Sequence, residues 1–221
     1  SGTLNILVGS RPLRDDDGSD RVKVEVLRLL NEKYGITERD FTRAELEAIA
    51  EVCCRRNVYV IADEIYCNLV YDNNEFVSFA SLSEDAKNRT LALYAPSKTF
   101  NLAGLVGSYH IAYSPWIRDR MEKECSLSHY DSMNVLSMHA LIAAYSPEGS
   151  EWADELCAVL AGNIDFACNY IKARFDGVEV TKPEGTYILF ADCTKWCEAH
   201  GKTIDDVERA CWDVGVAVQD G

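Results

Sequence analysis

Residues 58–66 are Val-Tyr-Val-Ile-Ala-Asp-Glu-Ile-Tyr, and residues 91–98 are Leu-Ala-Leu-Tyr-Ala-Pro-Ser-Lys. Each segment is a short, continuous run of apolar β-forming residues that passes into polar residues. Such runs are typical of strands covered on both faces in a parallel sheet. A helical pattern over Thr42 to about Arg56 directly precedes the first run, and Glu45 stands three residues after Thr42 as in a capping box. A helix followed by a buried strand predicts an α/β fold.

Further predicted elements lie on both sides of these runs. Ser19 or Asp20 caps a predicted helix over about 21–33, and Ser114-Pro115 begins another helix with the expected cap and first-turn proline. The remaining predictions are a third buried strand over 107–113, helices over about 132–145 and 150–175, a β-hairpin around Pro183-Glu184-Gly185 and a capped helix over 203–214. The helix over 150–175 is amphipathic, with apolar residues at near-helical spacing: Trp152, Leu156, Val159, Leu160, Ile164 and Phe166.

Charge and hydrophobicity limit the classes of partner. The chain of 221 residues has 36 acidic and 22 basic residues, for a formal net charge of −14. This charge repels nucleic acid and anionic membranes at long range, so neither is an expected partner. No apolar run approaches the roughly 20 residues that cross a bilayer, and residues 1–17 lack the layout of a secretory signal. We therefore expect a cytoplasmic protein.

The nine cysteines do not form a recognisable disulfide pattern. They are odd in number and spread over helical and strand-like segments, so we expect reduced thiols. Cys193, Cys197 and His200 have a spacing that could place them on one face of a short helix as zinc ligands. The spacing matches no common zinc finger and no fourth ligand is nearby, so we expect these residues to be ordinary packing and surface groups.

Reactive side chains follow the two predicted strands. In open α/β sheets, ligands bind beyond the carboxyl ends of the strands, where Asp63, Tyr66 and Lys98 stand in this sequence. Partial burial lowers the pKa of a lysine and frees its neutral amine to attack an aldehyde, and an aspartate can hold a positive charge on a heterocycle. Each residue also has a structural interpretation: Asp63 as a turn cap, Tyr66 as a packing residue and Lys98 as a solvated loop lysine.

Two motifs carry a resemblance to a known family. The string Asp63-Glu64-Ile65-Tyr66 and, about 30 residues later, the segment 95–105 (Ala-Pro-Ser-Lys-Thr-Phe-Asn-Leu-Ala-Gly-Leu) resemble the core signature of class I/II aminotransferases. These enzymes depend on pyridoxal 5′-phosphate (PLP). The form of residues 97–104 is most similar to the branch of carbon–sulfur β-lyases that includes cystathionine β-lyase and MalY/PatB-like proteins. The similarity extends from about Phe41 to Gly221 and includes Pro183-Glu184-Gly185-Thr186-Tyr187.

The resemblance implies a fold, a cofactor and roles for four residues. The fold is the three-layer α/β/α core of PLP-dependent transferases (fold type I), here incomplete, with the start of a small α+β C-terminal domain. Lys98 would hold PLP as a Schiff base and then move the α-proton of the substrate. Asp63 would pair with the protonated pyridine nitrogen and Tyr66 would donate to the phenolic oxygen of the ring, while Ser97 would lie near the phosphate.

The activity that the resemblance implies is β-elimination from, or transamination of, an amino-acid substrate. Members of the family are usually homodimers that share the active site. The corresponding domains are an N-terminal arm and helix over 1–40, a remnant of the PLP-binding large domain over 41–175 and part of a small domain over 176–221.

The sequence also departs from the family pattern. Near Asp40 it passes directly from a segment like the family's N-terminus to a segment from beyond the middle of the cofactor domain, and it stops at Gly221. The family's phosphate loop, the aromatic that stacks on the pyridine ring, the Asn-Pro-x-x-Pro-Thr-Gly segment and the carboxylate-binding Arg therefore have no counterpart. These absences predict weak or no activity for this chain alone, because positioning can supply about 7 to 11 kcal/mol of the barrier reduction. The alternative function is a non-catalytic binding or scaffold subunit.

Overall fold

The structure is a computed structural model that describes residues 41–72, 74–128 and 132–219. The helix predicted over 21–33, and with it the predicted arm over 1–40, lies outside the described residues.

Helix α1 spans Arg43–Arg56 and confirms the predicted capping box. The Thr42 side chain accepts a hydrogen bond from the Glu45 amide, and the Glu45 carboxylate accepts one from the Thr42 amide at 2.7 Å. Asn57 ends the helix in the left-handed conformation with φ of 54°. Asparagine tolerates this conformation better than most residues and often ends helices in this way.

Three strands form the larger sheet of the described residues, in the order β1-β2-β3. β1 is Val60–Asp63, β2 is Thr90–Tyr94 and β3 is Tyr109–Ala112. β1 and β2 are parallel, with Val60 opposite Thr90 and Asp63 opposite Leu93. The short helix α2, Glu84–Arg89, leads directly into β2. The predicted pair of buried parallel strands is therefore confirmed.

The third strand corrects the sequence-based prediction. β3 pairs antiparallel with β2, and its central residues His110 and Ile111 are exposed, so it is not the buried strand that we expected. A parallel return requires a crossover that carries the chain back along the sheet, usually through a helix. The connection over 95–108 holds only turns and the short 3₁₀ segment Ala103–Leu105. The chain therefore re-enters the sheet in the opposite direction.

The main core lies between α1, β1 and the segment before α2. Ile49, Cys53, Ala62, Phe79 and Ala86 have no exposed surface. They form one continuous buried cluster with Leu46, Ala50, Val52 and Val60. The apolar face of α1 and the strand β1 therefore share one buried core.

The remaining helices are α3 Pro115–Ser128, α4 Val135–Ala144, α5 Pro147–Arg174, α6 Thr194–His200 and α7 Ile204–Asp213. Four of these helices were predicted, and α6 was not among the predicted elements. α7 has a capping box formed by Thr203 and Asp206, which confirms the predicted capped helix. No helix of the described part is long and apolar enough to cross a membrane.

The predicted hairpin is confirmed only at its ends. β4, Glu179–Val180, pairs antiparallel with β5, Ala191–Asp192. Residues 187–190, between the predicted turn and β5, do not join the ladder. Gly185 instead forms a β-bridge with Val70. The predicted turn therefore pairs with a distant segment as well as linking β4 to β5.

Contacts divide the chain into two compact units. The first unit comprises Ser1–Cys157 and Glu184–Thr186, and the second comprises Ala158–Pro183 and Tyr187–Gly221. The division falls within α5. The domain boundary at residues 175/176 stays a prediction from the sequence.

Candidate active site

The carboxyl ends of β1 and β2 bring the predicted site residues to one edge of the sheet. Asp63 is the last residue of β1, and Lys98 follows four residues after the end of β2. Because these strands are parallel and paired in register, their carboxyl ends lie side by side. This is the edge at which ligands bind in open α/β sheets.

Lys98 lies in a turn that its backbone hydrogen bonds fix. The Phe100 amide donates to the Pro96 carbonyl at 2.9 Å, and the Leu102 amide donates to the Ser97 carbonyl at 3.0 Å. Lys98 Nζ lies 6.0 Å from the centre of the Tyr66 ring. The structure therefore brings Lys98 and Tyr66 together, although they are 32 residues apart in sequence. Both side chains are half-buried.

Asp63 organises the turn that carries Tyr66. The Ile65 amide donates to Asp63 Oδ1 at 3.3 Å, and the Leu69 amide donates to the Tyr66 carbonyl at 2.9 Å. Asp63, at the end of β1, and Ser97, in the turn after β2, are half-buried. The four predicted residues therefore lie at the carboxyl end of β1 or in the turns that follow β1 and β2.

Thr99 adds a polar group that the sequence analysis did not identify. It follows Lys98 directly, is only 1% exposed, and its Oγ1 has no hydrogen-bond partner. A buried hydroxyl without a partner costs free energy, so such groups are uncommon in folded proteins. Its place beside Lys98 makes it a polar group available to a ligand.

Glu64 is the second group that the sequence analysis did not identify. It stands between Asp63 and Tyr66 and is 2% exposed. Its Oε1 accepts a hydrogen bond from the Phe79 amide at 2.8 Å, and its Oε2 accepts one from the Tyr94 hydroxyl. The only sequence signal for this burial is the position of Glu64 directly after an apolar strand.

Cys67 lies in the same turn but is not set up as a nucleophile. Burial raises the pKa of its thiol to about 11, and the nearby charge of Glu64 acts in the same direction. The thiolate is the reactive form of cysteine, and at neutral pH it is a very small fraction here. Cys67 is therefore not a candidate nucleophile at this edge.

A segment from late in the chain is docked beside the turn of Tyr66. The Tyr71 amide donates to the Glu184 carbonyl at 2.9 Å, and the Thr186 amide donates to the Leu69 carbonyl at 2.9 Å. The Tyr71 hydroxyl donates to the Thr186 carbonyl, and burial raises the pKa of Tyr71 to about 12. Thr186 has φ of 63°, in the left-handed region that a β-branched residue seldom adopts.

Comparison with known proteins identifies the family. The model of the family described as aminotransferase class I and II matches residues 37–221. The chain belongs to this family. The membership confirms the resemblance that the motifs at 63–66 and 95–105 carry.

Relatives within the aminotransferase class I and II family include lyases and aminotransferases. The chain is 29% identical to cystathionine beta-lyase PatB from Bacillus subtilis, over 82% of this chain and 49% of PatB. It is 29% identical to a probable aspartate/prephenate aminotransferase from Aquifex aeolicus, over 92% of this chain and 50% of that protein. The chain thus spans about half the length of these relatives.

Solved structures confirm the predicted fold class. Cystalysin from Treponema denticola, whose crystal structure contains a pyridoxal 5′-phosphate cofactor, matches with a TM-score of 0.73 and 25% identity. The match covers 83% of this chain and 45% of cystalysin. The chain is therefore a partial α/β core of the PLP-dependent fold type I.

The zinc alternative receives no support from the structure. In residues 41–72, 74–128 and 132–219, no group of three or more His, Cys, Asp or Glu side chains could hold a metal ion. His200 Nδ1 lies 2.8 Å from the Trp196 carbonyl, and its ring stacks on that of Trp196 at 4.4 Å. All nine cysteines are free thiols.

Proposed function

We propose that this chain is part of a PLP-dependent enzyme that acts on amino acids, either as a carbon–sulfur β-lyase or as an aminotransferase. The observation that carries the proposal is the approach of Lys98 Nζ to the Tyr66 ring at 6.0 Å, at the edge where Asp63 ends the neighbouring parallel strand. Family membership and the names of the relatives support the same chemistry. These names describe catalysts, and none favours the non-catalytic alternative.

The side chains at this edge fit PLP by their chemistry. Lys98 offers an amine for the aldehyde, Asp63 a carboxylate for the protonated pyridine nitrogen, and Tyr66 a hydroxyl for the phenolic oxygen. Ser97 offers a hydroxyl for the phosphate. The buried and unpartnered Oγ1 of Thr99 supports the fit, because a bound polar ligand would satisfy it.

Each residue has a defined task in this proposal. When bound, PLP supplies an electron sink for the charge that develops at the α-carbon of the substrate. Lys98 Nζ would hold the cofactor through its aldehyde and would take the proton from the α-carbon of the substrate. Asp63 would pair with the protonated ring nitrogen, and Tyr66 would orient the ring by donating to its phenolic oxygen.

The two candidate reactions differ in where the proton goes. In an aminotransferase the proton would return on the cofactor side. In a β-lyase the bond between the β-carbon and sulfur would break, the sulfur would leave as a thiol that takes up a proton, and hydrolysis of the remaining fragment would give pyruvate and ammonia. Cystathionine and aspartate are the substrates to test first, because relatives of both kinds carry these names. Pyruvate release without an added keto acid would identify the lyase reaction.

Self-association and location complete the proposal. We infer a homodimer, supported by the exposed apolar side chains of α4: Val135, Leu136 and Ile142 are 64%, 70% and 62% exposed. Monomeric proteins rarely expose large contiguous apolar patches.

We also infer a cytoplasmic location, supported by the nine free cysteines.

An absorbance spectrum tests the proposed function. The purified chain is incubated with PLP, desalted and compared with Lys98→Ala and Lys87→Ala. Lys87 is a matched control, because its Nζ lies 5.1 Å from the centre of the Tyr113 ring in the same unit. We expect the wild type and Lys87→Ala to retain a visible band that Lys98→Ala lacks.

Two outcomes contradict the proposal. A colourless wild type would favour the non-catalytic alternative. Equal loss of the band in both lysine variants would show that Lys98 has no special role in holding the cofactor.

A further inference from the structure

Glu64 is a buried charged residue for which the proposed chemistry has no direct use. It is 2% exposed, and glutamate is almost never fully buried unless it is paired. Removal of a carboxylate from water is costly, so hydrogen bonds must offset the cost. Its position between Asp63 and Tyr66 means that whatever holds Glu64 also holds both of these residues.

Hydrogen bonds from three segments fix Glu64. Its amide donates to the Leu93 carbonyl of β2 at 3.0 Å, and its carbonyl accepts from the Cys67 amide at 3.1 Å. Its carboxylate accepts from the Phe79 amide at 2.8 Å and from the Tyr94 hydroxyl. Burial and the bond to Glu64 raise the pKa of Tyr94 above its usual range, so the phenol stays a donor.

Aromatic contacts continue from Tyr94 to the turn that carries Lys98. The Tyr94 ring stacks on Tyr109 with 5.3 Å between ring centres, and Tyr109 contacts the edge of Tyr145 at 5.8 Å. Tyr145 in turn contacts Phe100, two residues beyond Lys98, at 5.9 Å. A continuous series of packed side chains therefore joins Glu64 to the turn of Lys98, within the first unit.

We propose that Glu64 and Tyr94 form a buried carboxylate–phenol pair that sets the position of Asp63 and Tyr66 relative to Lys98. Glu64 is then a positioning residue for the cofactor rather than a catalytic residue. The inference rests on the proposed function, because positioning has a meaning only if these three residues hold PLP. Small displacements of such a constellation weaken a site whose parts are individually intact.

The test measures the affinity for PLP and the stability of the same variants. Glu64→Gln keeps the volume of the side chain and an oxygen for the Phe79 amide, but it replaces the oxygen that accepts from Tyr94. Tyr94→Phe keeps the stacking ring and removes only the hydroxyl. We expect each change to raise the dissociation constant for PLP about tenfold, the scale of one hydrogen bond to a charged group.

Glu45→Gln is the matched control. Glu45 is also a buried glutamate of the first unit, 1% exposed, and it accepts hydrogen bonds from Thr42 in the α1 capping box. We expect this variant to lose stability while it binds PLP as the wild type does. Borohydride reduction followed by peptide mapping gives a second measurement, namely the fraction of cofactor fixed at Lys98. That fraction should fall only in the Glu64 and Tyr94 variants.

Three outcomes are decisive. Weaker binding in Glu64→Gln and Tyr94→Phe, beside unchanged binding in Glu45→Gln, supports the positioning role. A lower melting temperature with unchanged affinity in both site variants would overturn it and leave the proposed function in place. A wild type that binds no PLP would overturn the proposed function, and the inference with it. If Glu64→Gln does not fold, Tyr94→Phe alone decides between the first two outcomes.

Discussion

The two units of the chain differ in how they bury apolar side chains. In the first unit, Ile49, Leu69 and Phe79 have no exposed surface. In the second unit, the buried apolar residues are Ile164, Cys168 and Val180, whereas Phe166 is 71% and Trp212 is 55% exposed. Helices α6 and α7 have no buried residue. The first unit therefore has a core of its own, whereas the second unit buries far fewer apolar side chains within the described residues.

The largest expected effect is the truncation of a core phenylalanine in the first unit. Phe79→Ala should lower the free energy of unfolding by about 3 to 5 kcal/mol, because it removes a fully buried ring and leaves a cavity. Phe166→Ala makes the same chemical change in the second unit. It should alter the free energy by less than about 0.5 kcal/mol, as expected for an exposed side chain. Urea denaturation followed by fluorescence measures both values.

A large loss of unfolding free energy in Phe166→Ala would contradict this difference between the two units. It would mean that the ring of Phe166 is covered in solution. Repetition of the measurement at several protein concentrations would then show whether a second copy covers it, since stabilisation by association depends on concentration.

A smaller effect is expected at the two capping boxes, one in each unit. Thr42→Ala removes the hydroxyl that pairs with Glu45, a buried carboxylate that is 1% exposed. Thr203→Ala removes the corresponding group beside the exposed Asp206. We expect the free energy of unfolding to fall by about 1 to 2 kcal/mol in Thr42→Ala and by about 0.5 to 1 kcal/mol in Thr203→Ala. The loss is larger in Thr42→Ala because this change also leaves a buried acceptor with fewer partners. Thermal denaturation compares the two variants, and equal losses would contradict the difference in burial.

The smallest expected effect is a pH dependence of the free energy of unfolding of the first unit. Arg89 donates to both Asp85 oxygens, at 2.5 and 2.6 Å, and this hydrogen bonding holds the pKa of Asp85 below its ordinary value. A carboxyl group with a lowered folded-state pKa stabilises the fold above about pH 4 and loses this contribution as pH falls through the lower value. Asp85→Asn should therefore reduce stability near neutral pH, by less than about 1 kcal/mol because the Asp85 side chain is 44% exposed.

Measurement of the free energy of unfolding from pH 7 to pH 3 tests the direction of this pH dependence. The difference in free energy of unfolding between the wild type and Asp85→Asn should shrink below about pH 4. A difference that stays constant with pH would contradict the prediction. In the second unit, Glu179→Gln serves as the control. Lys195 and Glu179 pair there with side chains that are 70% and 61% exposed, so the change should have no measurable effect at any pH.

The sequence predicted the elements that depend on local signals. The capping box at Thr42, the start of α3 at Pro115 and the helix after Thr203 each follow from a few adjacent residues. The buried pair β1 and β2 follows from continuous apolar runs. Asp63 ends β1, and the turns after these strands hold Tyr66, Ser97 and Lys98. Their roles toward PLP stay predictions.

The sequence did not predict features that depend on distant contacts. The direction of β3 depends on the path of the connection over 95–108, not on the composition of the strand. The apolar residues of α5 show helical spacing, yet Trp152 and Val159 are 46% and 61% exposed, because periodicity identifies a face without identifying what covers it. The burial of Glu64 depends on Tyr94 and Phe79, which the sequence alone does not bring together.

The docking of Glu184–Thr186 beside Leu69 and Tyr71 also constrains the order of folding. The Tyr71 hydroxyl and the Thr186 carbonyl are separated by 115 positions along the chain. During synthesis the strands β1 and β2 have left the ribosome long before residue 186 exists, so this contact cannot be part of an early nucleus. Contacts of such long range are costly to close and slow the folding of the proteins that need them. The turn of Tyr66 therefore acquires these neighbours only after residue 186 has been made.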